Sequence, residues 1–414
     1  MHILLLFHHY RTLKERGGLR SYQIGTYLRK KGYDVSAVIP GIDPLTENHY
    51  PGLRGKLYLK ENIRGVNIYR VNSLKNRRSS KLSRILYFIS SACIQFIVCM
   101  RIRSCDVVIC TSLPPSLLFW AFILSRLRGI PLIVDVRDLP FDYSVETHYF
   151  KQNTLVRLAM KLEATIYKRV EAIVTISQGL KKMITDKGVH DKRVSFLPIG
   201  YDRCYYEKNI DWTRDIKKEF NLKEKFIVLY TGSMGSLVDI MTILNAAELT
   251  RNKNNIIYVF VGDGQRITEY KQIAKERKLQ SLFTGEVSKE TAILFSAASD
   301  VCVYALGDNW IFSTFLGNKV FDYLGTGKPM IFCGPDGDIS RIIHEVKGGI
   351  CLPPKDFQGL SEAIVDLHQN PKNKIAMGNH AKHLIEIKYD TENLIEHLEK
   401  IIYDSVHTNS YRIR

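Results

Sequence analysis

Residues 107–140 read VVICTSLPPSLLFWAFILSRLRGIPLIVDVRDLP, and this stretch decides the fold. Val107–Cys110 is a short run with no polar residue except a thiol. Ser116–Leu127 has the length and composition of a helix, and Leu132–Val136 is apolar again apart from Asp135. Strand, helix and strand within about 30 residues make a crossover unit, and such continuous apolar strands suit a parallel sheet covered on both faces.

The same alternation runs outward from there. Upstream lie an apolar run Ile3–Phe7, a helix-like stretch over 18–31, Val35–Ile39, a basic irregular region, Val66–Val71 and a long helix over 80–103. Downstream, a helix over 154–170 precedes Ala172–Ile176, and a helix over 178–187 precedes Val194–Leu197. Residues 201–222, YDRCYYEKNIDWTRDIKKEFNL, are polar and read as a linker. The pattern then restarts with Phe226–Tyr230, Ile256–Val261, Val301–Ala305, Met330–Phe332 and Ile350–Leu352. The expectation is an α/β chain of two doubly wound, Rossmann-like domains, which fits 414 residues. In such sheets ligands bind beyond the carboxyl ends of the strands, so a cleft between the domains is the expected site. A last helix near 391–406 is placed to pack across the junction.

Charge divides the chain. Of 59 Lys and Arg against 42 Asp and Glu, residues 1–200 hold 32 against 14 and residues 201–414 hold 27 against 28. The first half therefore meets an anionic partner, whether nucleic acid, membrane surface or phosphorylated substrate. Eight cysteines without a CxxC pair read as free thiols rather than a disulfide scaffold or a metal site. The segment MHILLLFHHYR lacks the basic start of a signal peptide. The uncharged run Ile85–Met100, 16 residues, is shorter than the roughly 18–20 that span a bilayer. A soluble protein of a reducing, cytoplasmic environment is expected.

Five segments carry chemistry. Gly17 and Gly18, after the first strand, let a helix N-terminus approach a phosphate or carboxylate closely. Arg137 and Asp138 follow a buried strand and can bind or orient a substrate, whereas Asp135 within the strand is a structural residue. The turn Tyr230-Thr-Gly-Ser-Met-Gly235 offers backbone N–H groups through Gly232 and Gly235. In VGDGQR, Gly262 and Gly264 permit close approach and Arg266 suits paired phosphate oxygens. A helix from Asn318 puts Lys319 in its first turn, facing a diphosphate, and Asp322 one turn later, where a carboxylate can accept from ribose hydroxyls. GxGxxG spacing is absent, which argues against a nicotinamide or flavin enzyme.

Taken together, GGLRSY, the stretch from TSLPP to RDLP, VEAIVTISQGLKKMI, VSFLPIGYD, LYTGSMG, FVGDG, LFTGEV, NKVFDYLGTGKPMIFCGPDGD and GGICLPPKD resemble glycosyltransferase family 4, the retaining enzymes of GT-B architecture. The likeness is nearest to bacterial capsule, O-antigen and exopolysaccharide transferases such as the N-acetylfucosaminyl transferase type. It implies an acceptor-binding domain over 1–205, a domain for the nucleotide-sugar donor over 206–389, and a C-terminal helix over 390–414 that returns toward the first domain. By matching motif, Asp322 takes the ribose, Gly17 and Gly18 approach the donor phosphates, and Lys319 and Arg266 meet the diphosphate. Glu286 and Val287 line the base, and Arg137 and Asp138 face the cleft. The resemblance further implies a UDP-linked donor, no metal or other cofactor, an undecaprenyl-diphosphate-linked glycan as acceptor, and peripheral attachment to the inner face of the membrane. The basic half would then meet anionic lipid, not nucleic acid.

The sequence departs from the family in places. Thr314 stands where a first acid is usual, eight positions before Asp322, and Asp322 replaces the commoner Glu. SLVDIM, with Asp239, replaces the basic pair after the glycine loop, and Ile199 replaces an Asn. Two other classes share some features: a sugar-nucleotide 2-epimerase of the same fold, and a non-catalytic binder of anionic ligands or nucleic acid.

Overall fold

Val107–Thr111 and Leu132–Val136 are neighbouring parallel strands, in register from Val108 opposite Leu132 to Thr111 opposite Asp135. The helix between them, Pro115–Arg128, starts with proline at its first position, where no N–H is needed. It stops at Gly129, whose φ of 64° is the left-handed cap that glycine adopts without strain. The computed structural model describes residues 1–15, 18–42, 48–74, 81–102, 104–147, 153–235, 237–253 and 255–410.

The chain forms two compact units. The first comprises Met1–Arg11, Leu19–Pro198 and Glu392–Arg414. Its sheet holds β1 (His2–Leu6), β2 (Asp34–Pro40), β3 (Tyr58–Ile63), β4 (Val66–Val71), β5 (Val107–Thr111), β6 (Leu132–Val136), β7 (Ala172–Thr175) and β8 (Val194–Phe196), in the order β3-β4-β2-β1-β5-β6-β7-β8. Central strands are sealed on both faces; Ile3, Leu4, Leu5, Val107, Val108 and Ile109 are all 0% exposed. Each such side chain contributes about 1.5–3 kcal/mol by burial. Every pairing is parallel except β3 with β4. Of that hairpin, β4 is the expected run Val66–Val71, and β3 occupies the stretch expected to be irregular. The β3 strand YLKENI has the polar run Lys60-Glu61-Asn62 and no buried residue, as suits an edge strand, and Arg64 and Gly65 turn it at φ 48° and 86°.

The second unit comprises Thr12–Gly18 and Ile199–Thr391. Its all-parallel sheet holds β9 (Phe226–Thr231), β10 (Ile256–Val261), β11 (Ser281–Gly285), β12 (Val301–Ala305), β13 (Met330–Cys333) and β14 (Gly349–Leu352), in the order β11-β10-β9-β12-β13-β14. The stretch read as a linker is structured. Asp202 caps the helix Arg203–Asn209 and Asp215 caps the helix Ile216–Glu219, each accepting from a backbone N–H three residues on. Segment Thr12–Gly18 is held to the start of helix Lys289–Ala298, where Lys289 N–H donates to Glu15 O and Glu290 N–H to Leu13 O.

The C-terminal helix, Thr391–Ser410, lies from Glu392 onward in the first unit. Lys30 pairs with Glu392 at 2.8 Å, Lys31 with Glu396 at 2.5 Å, and Tyr33 hydroxyl donates to Glu399 at 2.6 Å. Helix Lys81–Arg101 packs on the same unit, its Gln95 amide donating to Phe7 O and Val38 O at 3.2 and 2.8 Å. Its portion Ser83–Arg101 is, by length and composition, long and apolar enough to cross a membrane. The expectation from the 16-residue uncharged run is corrected here, because the helix continues through Arg84 and Arg101, whose charges sit at its ends.

Candidate functional site

In the second unit, β9 and β10 deliver two glycine turns side by side. Gly232 has a φ of 128° and donates its N–H to Val261 O at 2.8 Å. Gly262 has a φ of 130°, and a methyl group there would lie 2.2 Å from Gly232 O. Glycine is thus required twice over at Gly262, by backbone sign and by space. A Cβ on Gly264 would lie within 2.6 Å of Met234 backbone atoms, whereas one on Gly235 would meet only Ser233 Oγ at 3.7 Å.

Helix Asn318–Gly325 opens beside these turns, with Gly317 as its cap and no side chain on its first N–H groups. A Cβ on Gly18 would meet Asn318 Nδ2 at 2.4 Å, so glycine admits the first-strand loop to this helix start. Gly17 lies outside the described residues. A Cβ on Gly232 would meet Lys319 Nζ at 2.8 Å. The Lys319 ammonium lies 4.4 Å from the Tyr230 ring centre and 4.2 Å from that of Tyr304, and donates to Tyr230 hydroxyl at 3.2 Å. Burial brings its pKa down to about 7, with Asp322 pulling upward and Lys289 adding to the decrease. A cation on the π faces of two rings, with a half-relinquished proton, is poised to become fully charged when an anion arrives.

Asp322 is buried and engaged. Its Oδ2 forms a tight ion pair with Lys289, and its Oδ1 accepts from Tyr206 hydroxyl at 3.4 Å. Neither Lys289 nor Tyr206 is identified in the sequence reading. Their distance along the chain from Asp322, 33 and 116 residues, leaves no local signal. Thr314 is also buried, with its hydroxyl turned back to Ile311 O at 2.8 Å. Asp239 caps helix Ile240–Leu249, accepting from Thr242 N–H at 3.2 Å and Thr242 hydroxyl at 2.7 Å.

Arg266 pairs with Glu269 at 2.6 and 2.8 Å, stays about two-fifths exposed, and precedes the helix Ile267–Glu276 without a side-chain capping bond. An exposed pair of this kind contributes about 0–1 kcal/mol. Glu286 is exposed and Val287 half-buried, both directly after β11.

In the first unit the carboxyl end of β6 carries a buried charge cluster. Asp135, 0% exposed, accepts from Arg20 at 3.0–3.2 Å and from Arg137 at 2.9 Å. Arg20 also donates to Pro198 O at 2.8 Å, and Arg137 to Ser21 hydroxyl at 3.2 Å. Asp135 therefore orients Arg137, and the first turn of helix Arg20–Lys30 is pinned to the strand end. Arg20 stands in the quoted GGLRSY, but its partner is 115 residues away.

Burial raises the Asp138 pKa to about 6, with Arg137 pulling it down. If ionised Asp138 is needed in turnover, kcat/KM should rise with pH through about 6 and level off. It should fall about tenfold per unit below that value. Asp138→Asn should abolish that limb, and a limb that persists would remove Asp138 from the mechanism. His8 packs against Tyr87 and Phe88 at 5.7 and 5.3 Å, and burial, aided by Arg11, lowers its pKa to about 4. His9 is lowered for the same first reason. Both rings are neutral at pH 7 and offer no cation to a phosphate.

Among the described residues no three His, Cys, Asp or Glu side chains gather as a metal site. The cysteines are free, Cys99, Cys105 and Cys110 buried among them.

Two family models match the chain: Glycosyl transferase 4-like domain over residues 17–200 and Glycosyl transferases group 1 over 225–370. A glycosyltransferase of Methanocaldococcus jannaschii is 24% identical over 272 residues, 64% of this chain and 64% of its own length. O-antigen chain mannosyltransferase C of Escherichia coli is 25% identical over 249 residues, 59% of this chain and 64% of its own length. The matched stretch thus spans 64% of each of these relatives. Anabaena HepE, solved with UDP and glucose, superposes with a TM-score of 0.69 at 12% identity, over 97% of this chain and 99% of that one. At that identity the likeness concerns the fold.

Proposed function

We propose, because this chain belongs to glycosyltransferase family 4 and has its GT-B fold, that it moves a sugar from a nucleotide-sugar donor to a glycan acceptor in surface-polysaccharide or lipopolysaccharide biosynthesis. The donor is UDP-linked, the acceptor is a glycan on a lipid diphosphate, and the anomeric configuration is retained. The observation that carries this reading is Lys319, a cation held between two tyrosine rings at a helix start.

The leaving group is a nucleoside diphosphate, and charge accumulates on it as the glycosidic bond breaks. Lys319 and the free N–H groups of the helix start at Asn318 stabilise that charge, with the Gly232 turn beside them. Asp322 takes the ribose hydroxyls, and Gly18 keeps the loop close to Asn318. Glu286 and Val287 flank the base. Arg137, oriented by Asp135, and Asp138 handle the acceptor, so the remaining catalytic contribution is positioning. No metal enters these steps, and activity should be unchanged in EDTA. The chain works at the inner face of the membrane, where its basic first half meets anionic lipid.

A donor panel tests the reading. UDP- and GDP-sugars are incubated with a lipid-diphosphate glycan, products are read by mass spectrometry, and the new linkage is assigned by NMR. A glycan one sugar longer, with the donor's anomeric configuration, is expected from a UDP-sugar. Free nucleotide released without acceptor-dependent product would overturn the transferase in favour of hydrolysis or epimerisation.

A further inference from the structure

Helix Lys81–Arg101 is apolar on its outward side as well as on its buried side, where Tyr87, Ala92, Val98 and Cys99 are enclosed. Ser91 and Gln95 are buried, and Gln95 spends its amide on the ends of β1 and β2. The outward side is apolar too. Ile85, Leu86, Ile89, Ile97 and Met100 are 43–52% exposed. Steps of four, seven and four residues carry the stripe from Ile85 through Ile89, Phe96 and Met100, with Leu86 and Ile97 alongside, so they share one helix face. A helix that serves only its own core shows polar residues to water. Between Arg84 and Arg101 this face has no charged residue. Aggregation of five large bare apolar side chains along one helix marks an interaction surface.

We propose that this face is inserted into the headgroup region of an anionic lipid bilayer, with the helix lying in the membrane plane. Charge selects the occupant: Arg84 and Arg101 bracket the stripe, Arg103, Lys81, Arg78 and Arg77 adjoin it in sequence, and the first half of the chain carries the whole positive excess. An apolar stripe flanked by bases is the pattern of an interfacial helix, while Gln95 ties the opposite face to the sheet rather than to lipid. This deepens the proposed membrane-borne acceptor and rests on that reading. It adds a mode of attachment. Attraction by charge alone is screened by salt, whereas inserted apolar area is not.

Vesicle flotation of the full chain tests it, with phosphatidylcholine vesicles and with vesicles that also contain phosphatidylglycerol. The parent should float with the anionic vesicles and remain bound in about 1 M salt. Ile89→Ser/Ile97→Ser/Met100→Ser should lose partitioning by at least about tenfold, with thermal unfolding and UDP binding as in the parent. As a reading that removes no apolar surface, the emission of Ile97→Trp should shift to the blue when anionic vesicles are added. Equal flotation of the triple variant, complete release of the parent by salt, or an unshifted Ile97→Trp spectrum would overturn the insertion. So would a parent dimer that the triple variant dissolves in analytical ultracentrifugation, because a second copy would then cover the face. UDP binding separates the two readings: its loss in the parent would strike the transferase, and its retention in a chain that does not float would strike only the docking.

Discussion

Lys319→Met is expected to lower kcat by about 10²–10³ while leaving the fold intact. Methionine keeps an unbranched apolar chain of nearly the same length, so what is removed is chiefly the ammonium that sits on the Tyr230 and Tyr304 rings. The effect should be large because the ammonium acts where water is excluded and where negative charge grows on the leaving diphosphate. The lowered pKa supplies a second readout. With a free-site value of about 7, Lys319 is mostly neutral at pH 8. A bound diphosphate favours the charged form and raises the pKa again, so binding must take up a proton. UDP calorimetry at pH 8 in buffers of different ionisation enthalpy should show that uptake, and affinity should decline as pH rises above 7. Lys319→Met should bind UDP with no proton uptake. A variant with normal turnover, or a parent that binds UDP without a proton, would remove Lys319 from the diphosphate.

Asp322→Ala should cost both stability and donor affinity, and the two losses are separable. Its carboxylate and the Lys289 ammonium are 11% and 10% exposed. Deleting one partner leaves a buried charge, which destabilises by about 3–5 kcal/mol. Asp322→Ala/Lys289→Met removes the stranded ammonium and should recover much of that loss in denaturant unfolding. Donor affinity should not recover. If Asp322 accepts from the ribose, about tenfold to hundredfold of UDP affinity disappears in both variants, the size of hydrogen bonds to a charged group. A double variant that binds UDP like the parent would make Asp322 a structural partner of Lys289 and Tyr206 and nothing more.

These residues also mark where sequence is readable. Strands such as Ile3–Phe7 and Val107–Cys110 stand out because parallel sheets are covered on both faces, and their runs contain little else than apolar residues. β3 and β11 do not: YLKENI is interrupted by the polar run Lys60-Glu61-Asn62, and SLFTG is half-buried throughout. The helices within 201–222 are short, and what starts them is a capping aspartate rather than an apolar period. At the site, the glycine turns and Lys319 are legible because turn and helix start are local chemistry. The pairing of Asp322 with Lys289, and of Asp135 with Arg20, is tertiary. The pair of Arg266 with Glu269, three residues away, is by contrast local.

The segment Thr12–Gly18 folds with the second unit although it follows the first strand of the first, and Glu392 returns the chain to where it began. The backbone therefore passes from one unit to the other at Arg11, Gly18, Pro198 and Thr391. For recombination among relatives this matters. Exchanging everything after Pro198 between two parents would leave the second unit with the wrong parent's seven-residue strap across Lys289 and Asn318. Productive hybrids should be those that inherit residues 12–18 together with 199–391, two discontinuous pieces travelling as one heritable block.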